Sequence, residues 1–121
     1  MKMQKSPPEL VETFDRAFPE DARAQRRQMF GFPAGFVNGN HFGGLFADHV
    51  VLRLAEADRR ALAEQYGAVP FAPMGRPMSG YVVVPDPIVN DAALLREWLI
   101  RALEHAAAMP AKQPKTAKKA R

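Results

Sequence analysis

Between Arg27 and Leu54 the chain reads RQMFGFPAGFVNGNHFGGLFADHVVLRL, short apolar runs separated by turn-forming residues at intervals too brief for helices. Gly31 with Pro33, then Asn38-Gly39-Asn40, then Ala47-Asp48-His49 mark the turns, so the segment predicts an antiparallel β-meander at the centre of the fold. A meander with an apolar side cannot stand alone in water, and the rest of the chain must supply what covers it. Within the stretch no residue pair is spaced for chemistry, so it reads as a sheet-building block.

Register follows from side-chain parity. A three-residue loop at Ala47-Asp48-His49 sets Phe46 opposite Val50, Gly44 opposite Leu52 and Phe42 opposite Leu54, which gathers the bulkier apolar set on one face. A two-residue Asp48-His49 loop instead aligns Leu45 with Leu52 and sends both phenylalanines to the other side, so the first register is the expected one. An Asn38-Gly39-Asn40 loop sets Phe36 against Phe42, with Asn40 free to take the left-handed conformation. Gly43-Gly44 removes side chains in mid-strand, which predicts a bulge or a closely packed backbone. Under a helix the pair is a packing device; under a ligand it is a site.

Helices are predicted on either side of this meander. Ser6-Pro7-Pro8-Glu9 has the spacing of a capping box, and the helix it opens places Leu10, Val11, Phe14, Ala17 and Phe18 on one face before Pro19 ends it. Glu20–Gln28 reads as a polar link to a first strand at Gln28–Phe32. Arg23, Arg26 and Arg27 are its only functional hint, solvated as most loop arginines are, or an anion site. Glu56–Tyr66 predicts a short helix stopped by Gly67. Val69–Met78 is too rich in proline for a central strand, and Ser79–Val84 resumes the sheet. Asn90 caps a last helix, Asp91–Met109, whose stripe of Leu94, Leu95, Trp98, Leu99, Ala102, Ala106 and Met109 covers the sheet. Ile100 lies opposite and Leu103 on the flank, which makes the two a candidate dimer contact. The pattern is that of an α+β fold, an antiparallel β-meander sheet flanked by helices in the order α-β(3-4)-α-β(1-2)-α, in one domain over residues 1–109.

Charge is distributed unevenly. The chain of 121 residues has a formal net charge of +4, yet Lys112, Lys115, Lys118, Lys119 and Arg121 lie in a tail without acids, leaving twelve basic against thirteen acidic side chains in the body. Residues 110–121 lack the apolar surface to offset ordering and are expected to be a disordered basic tail. Such a tail is a solubilising end or a weak, salt-sensitive arm for nucleic acid. There is no cysteine, and no apolar run approaches the roughly 20 residues of a membrane span. The amino terminus has no apolar middle of a signal peptide, so a cytoplasmic protein without a membrane partner is expected.

Catalytic patterns are sparse. Ser79 beside Gly80 opens a strand and has no strand-turn-helix elbow. The three histidines, His41, His49 and His105, show no metal-binding helical spacing, and a His41/His49 metal site depends on folding to join them. GFPAGFVNG opens onto a strand, whereas phosphate loops open onto a helix amino terminus. No catalytic residue, metal or cofactor is assigned.

Met29–Gly31 (MFG), the hairpin GFVNGNHFGGLFADHVVLRL at Gly35–Leu54, PFAPMGRPMSGYVVVP at Pro70–Pro85 and LLREWLIRALEHA at Leu94–Ala106 together resemble the amino-terminal domain of the TfoX/Sxy family over Leu10–Ala107. The resemblance implies a secretion-chaperone-like α+β fold, often dimeric, and a role beside regulators of transcription linked to natural competence. It carries over no catalytic or metal-binding residues. The two-domain regulators continue into a second, helical domain where this sequence has its basic tail. The expected function is a non-catalytic regulatory module, a homodimer acting through contacts with an unidentified protein partner. The alternative is weak, non-specific nucleic-acid binding through the tail.

Overall fold

The computed structural model describes residues 6–29 and 31–111. Helix α1 (Pro8–Ala17) leads into four strands, β1 (Gln25–Met29), β2 (Phe32–Val37), β3 (Asn40–Phe46) and β4 (His49–Arg53). Helix α2 (Glu56–Tyr66), strands β5 (Val69–Pro70) and β6 (Tyr81–Val83), a one-turn helix α3 (Asp86–Val89) and helix α4 (Ala92–Ala107) complete the chain. The strands form one antiparallel sheet in the order β1-β2-β3-β4-β6-β5, an α+β architecture. No helix among the described residues is long and apolar enough to cross a membrane.

The first strand lies earlier than Gln28–Phe32. It occupies Gln25–Met29, so Arg26 and Arg27 belong to an edge strand, where charged side chains discourage pairing with another chain. The opposite edge, β5, is two residues long and ends at Pro70, which cannot donate to a further strand.

Both hairpins are tighter than the expected three-residue loops. Asn38 and Gly39 alone form the first turn, with φ of 53° and 79°, the two left-handed residues that an Asn-Gly turn supplies cheaply. Val37 therefore faces Asn40 and Phe36 faces His41, not Phe42. Pairing then slips by one residue, Gly35 faces Gly43, and Phe42 is the extra residue of a β-bulge. Gly35 makes room for that bulge, since a Cβ there would stand 2.5 Å from Phe42 Cζ. The bulge beside Gly43-Gly44 is the irregularity that the glycine pair predicts. At the second turn Phe46 pairs with His49 and Leu45 with Val50, which leaves Ala47-Asp48 as a two-residue connection and matches neither expected register. The bulk criterion fails because Phe46 lies half-buried on the other face, 5.5 Å from the Phe32 ring centroid and 5.3 Å from that of Phe71.

The helices share one face. Phe14 of α1, Leu62 of α2, Ile88 of α3 and Leu95, Leu99 and Ala102 of α4 are fully buried in one core with Phe42, Leu52 and Leu54 of the sheet. Ser6 does not close a capping box: its hydroxyl donates to the Ala47 carbonyl at 2.6 Å, tying the start of α1 to the second hairpin turn. Asp91, not Asn90, caps α4, accepting from the Leu94 amide at 3.2 Å. Helix α4 lies on β2, β3 and β4 and is flanked by α1 and α3, so its buried stripe is wider than one contact side would make it. Trp98 packs inward as expected, and so does Leu103, which at 1% exposure is core and not a dimer contact. Ile100 stays outside, 41% exposed.

Candidate functional site on the open face of the sheet

With the four α-helices on one side and only the short 3-10 turn Pro73–Gly75 on the other, strand alternation presents a second, different surface. Cross-strand pairs place Met29 with Phe32, Ala34 with Gly44, Phe36 with His41, and Arg53 with Tyr81 on the face without helices. The Phe71–Gly80 loop bends back over part of it. Phe71, Pro73 and Met78 wall a hollow of about 370 Å³ whose strand side is built from Met29, Gly44, Phe46 and Val51. The loop is held at the sheet by backbone hydrogen bonds, the Phe71 amide donating to the Tyr81 carbonyl at 3.1 Å, the Tyr81 amide to the Met78 carbonyl at 3.1 Å and the Met78 amide to the Phe71 carbonyl at 2.8 Å.

One end of the hollow is polar. His41 Nδ1 and the Tyr81 hydroxyl are 2.9 Å apart, and the Phe36 ring meets the imidazole edge-on at 5.3 Å. The guanidinium of Arg53 lies 5.8 Å from the Tyr81 ring centroid and donates to the His41 carbonyl at 3.3 Å, while that of Arg27 lies 5.2 Å from the centre of Phe36. An aromatic row thus reaches from β2 through β3 to β6, with Arg27 of β1 beside Phe36 at one end and Arg53 of β4, the strand between β3 and β6, beside His41 and Tyr81. Burial, with the nearby Arg53 charge second, pushes the His41 imidazole down to about 4, so the ring is neutral at ordinary pH. Burial also raises the Tyr81 phenol, opposed in part by Arg53.

Two larger hollows have a different character. One of about 440 Å³ runs between Glu56, Arg59 and Arg60 of α2 and Ser79-Gly80, where Glu56 and Arg60 already pair with each other at 3.1 Å. The other, of about 600 Å³, is an open channel beside α1 lined by Glu9, Asp48, His49 and Asp86. Of these three, the hollow on the helix-free face combines an apolar lining with a convergent polar end, the pattern of a ligand site.

The residues singled out in the sequence fall apart from one another. Ser79 is exposed and shares its groove with arginines of α2, with no histidine lining it. His41 is the second residue of β3, whereas His49 pairs with Phe46 at its far end, about 17 Å away at strand rise, so the two cannot share a metal. His105 lies on α4 behind the sheet. No group of three metal-ligating side chains gathers among the described residues.

Arg23 bridges Asp21 at 2.7 Å and Glu104 at 2.8 Å, which holds the Asp21 carboxyl down at about 2 and lowers that of Glu104. Arg26 pairs with Asp15 of α1. These arginines fasten the edge strand and its lead-in to the helices, and Arg27 alone of the three turns to the open face. The tail residues Lys112, Lys115, Lys118, Lys119 and Arg121 lie outside the described residues.

Sequence reading missed Tyr81, Phe71 and Met78 as parts of one surface. The signal for Tyr81 was the alternation of Ser79–Val84, in which Tyr81 and Val83 point away from Val82 and Val84; Phe71 and Met78 lie outside that run.

No curated protein and no solved structure matches the chain. The family model of the TfoX N-terminal domain does match, over residues 18–106. That span runs from the end of α1 to the last turns of α4 and takes in the whole sheet and the open face, and the chain belongs to the TfoX N-terminal domain family.

Proposed function

We propose that the chain is a non-catalytic regulatory module of the TfoX kind, a cytoplasmic homodimer that modulates transcription or a competence-related process through protein contacts. The observation that carries this reading is the dispersal of its chemistry. Ser79, His41, His49 and His105 occupy separate sites, and Arg23 and Arg26 are spent on ion pairs within the chain. What the surface offers a partner instead is apolar, with Ile100 41% exposed on α4 and Met78 44% exposed beside the hollow. Membership of the family supports a regulatory role. It leaves the partner open.

The competing reading, nucleic-acid binding through residues 110–121, requires a polycation that the slightly acidic body does not supply. Affinity capture from the native cell, with and without nuclease and with and without Pro110–Arg121, separates the two. A partner retained after nuclease treatment and tail deletion is expected. Loss of every captured species on nuclease treatment assigns the function to nucleic acid. Light scattering at high protein concentration tests the assembly, and a monomer there removes the homodimer.

A further inference from the structure

The helix-free hollow has chemistry of its own, independent of any protein partner. Its size falls in the range of small-molecule sites, roughly 300–1,000 Å³. Met29, Phe46, Val51, Phe71 and Met78 give it apolar walls, with Val51 only 4% exposed at the base and Met78 44% exposed at the mouth. Polarity is confined to the end where His41 and Tyr81 meet.

In the tautomer in which the Tyr81 hydroxyl donates to Nδ1, the neutral imidazole carries its proton on Nε2. That nitrogen has no hydrogen-bond partner among the described residues and is not sealed from solvent. It is a donor at the border of an apolar space.

The charge of this end is one-sided. None of the residues of β1–β6 is Asp or Glu. Arg23, Arg26, Arg60 and Arg101 each hold a carboxylate, but Arg27 and Arg53 have none within ion-pairing distance among the described residues. Both lie against aromatic rings of the row that borders the hollow. The nearest acid of the adjoining groove, Glu56, is paired with Arg60. An occupant that complements these features brings an apolar ring and a negative charge. A second copy of the same face brings the same two arginines and no acid.

We propose that the hollow on the helix-free face binds a small planar aromatic monoanion, its ring between Phe46, Phe71 and Met78 and its charge toward Arg53 and His41 Nε2. Such a ligand would bear on the loop from Phe71 to Gly80 as well as on the sheet, and so couple small-molecule concentration to the shape of this face.

Two probes with nearly the same aromatic body test the proposal on the full chain: 8-anilinonaphthalene-1-sulfonate, and the uncharged N-phenyl-1-naphthylamine. Fluorescence titration is expected to saturate with one probe per chain for both, the sulfonate binding about five- to tenfold more tightly, as one partly exposed charge pair allows. Arg53→Gln should remove that difference and leave the uncharged probe's affinity unchanged, a result that general loosening of the fold cannot produce.

Methyl resonances locate the site. Shifts should be confined to Met29, Val51 and Met78, while those of Val50 and Leu52 on the helix side stay in place. The proposal is overturned by non-saturable binding, by equal affinity for the two probes, or by shifts centred elsewhere. It is equally overturned if the Met29, Val51 and Met78 resonances move with protein concentration alone, which would give the face to a second copy.

Discussion

The two faces of the same sheet do different work, and one strand serves both. On β3, Asn40 and Phe42 point toward the helices, where Phe42 is fully buried and the Asn40 amide donates to the carbonyls of Ala106 and Pro110 at 3.3 and 3.1 Å. His41, between them, points the other way into a half-open aromatic row. The helix face is closed, its polar atoms satisfied internally. The open face holds a neutral imidazole, a phenol and two arginines without carboxylates among the described residues, beside the apolar hollow. Period-two alternation lets a small domain keep its stability on one side and expose adaptable chemistry on the other.

Removing bulk from the closed face should give the largest effect. Phe42→Ala leaves a void beneath the bulge among Phe14, Phe18 and Leu52, and should cost about 3–5 kcal/mol in urea unfolding. Trp98→Ala, on a side chain 7% exposed and stacked beneath Arg101 at 4.8 Å, belongs to the same range. An unchanged unfolding midpoint in either variant would break the comparison, because the closed face would then not be the stable one.

Acid should act on the open face. The His41 imidazole, lowered from 6.5 to about 4 by burial and Arg53, binds a proton in the unfolded chain before it does so in the folded one. Its contribution to stability is complete above about pH 6.5 and is lost as pH falls toward about 4, by roughly 3 kcal/mol at most. His41→Phe should flatten that part of the pH–stability profile while the lower-pH loss from carboxylates such as Asp21 remains. A profile that keeps its slope between those values in the variant would assign it to other groups.

Why the sequence revealed one face and not the other follows from these residues. The stripes of α1 and α4 said that a face was buried, and Phe14, Trp98 and Leu99 lie where the 3.6-residue period puts them. Amphipathicity does not say to which side of a sheet a helix goes. Bulk alone sets Phe46 opposite Val50, whereas the chain turns Phe46 to the open face, opposite His49 and against Phe71. The bulge at Phe42 hid the rest: an extra residue shifts pairing by one, and a glycine pair announces an irregularity without giving its phase. A stripe facing a sheet alone leaves Leu103 on the flank of α4, and it is buried because α1 and α3 also pack beside that helix and widen its covered side.

A smaller change tests how the closed face is fastened. Asp91→Ala removes the acceptor for the Leu94 amide at the start of α4 and should cost about 1 kcal/mol, seen as a lowered thermal midpoint. Asn90→Ala, one residue earlier, should do less, because its side chain does not cap the helix. The reverse order would return the cap to Asn90.

The smallest effect is expected at the mouth of the hollow, and it bears most directly on the division of labour. Met78 is 44% exposed, and its backbone rather than its side chain anchors the loop, through the bond from its amide to the Phe71 carbonyl. Met78→Ser keeps that bond and exchanges a thioether wall for a hydroxyl already in contact with water. Stability should change by no more than about 0.5 kcal/mol, the range of surface substitutions. Affinity for an aromatic probe should nevertheless fall, since the ring loses one of its apolar walls. A variant that binds less while unfolding at the same urea concentration would separate the two faces by experiment. One that loses several kcal/mol would show that the open face is also part of the core.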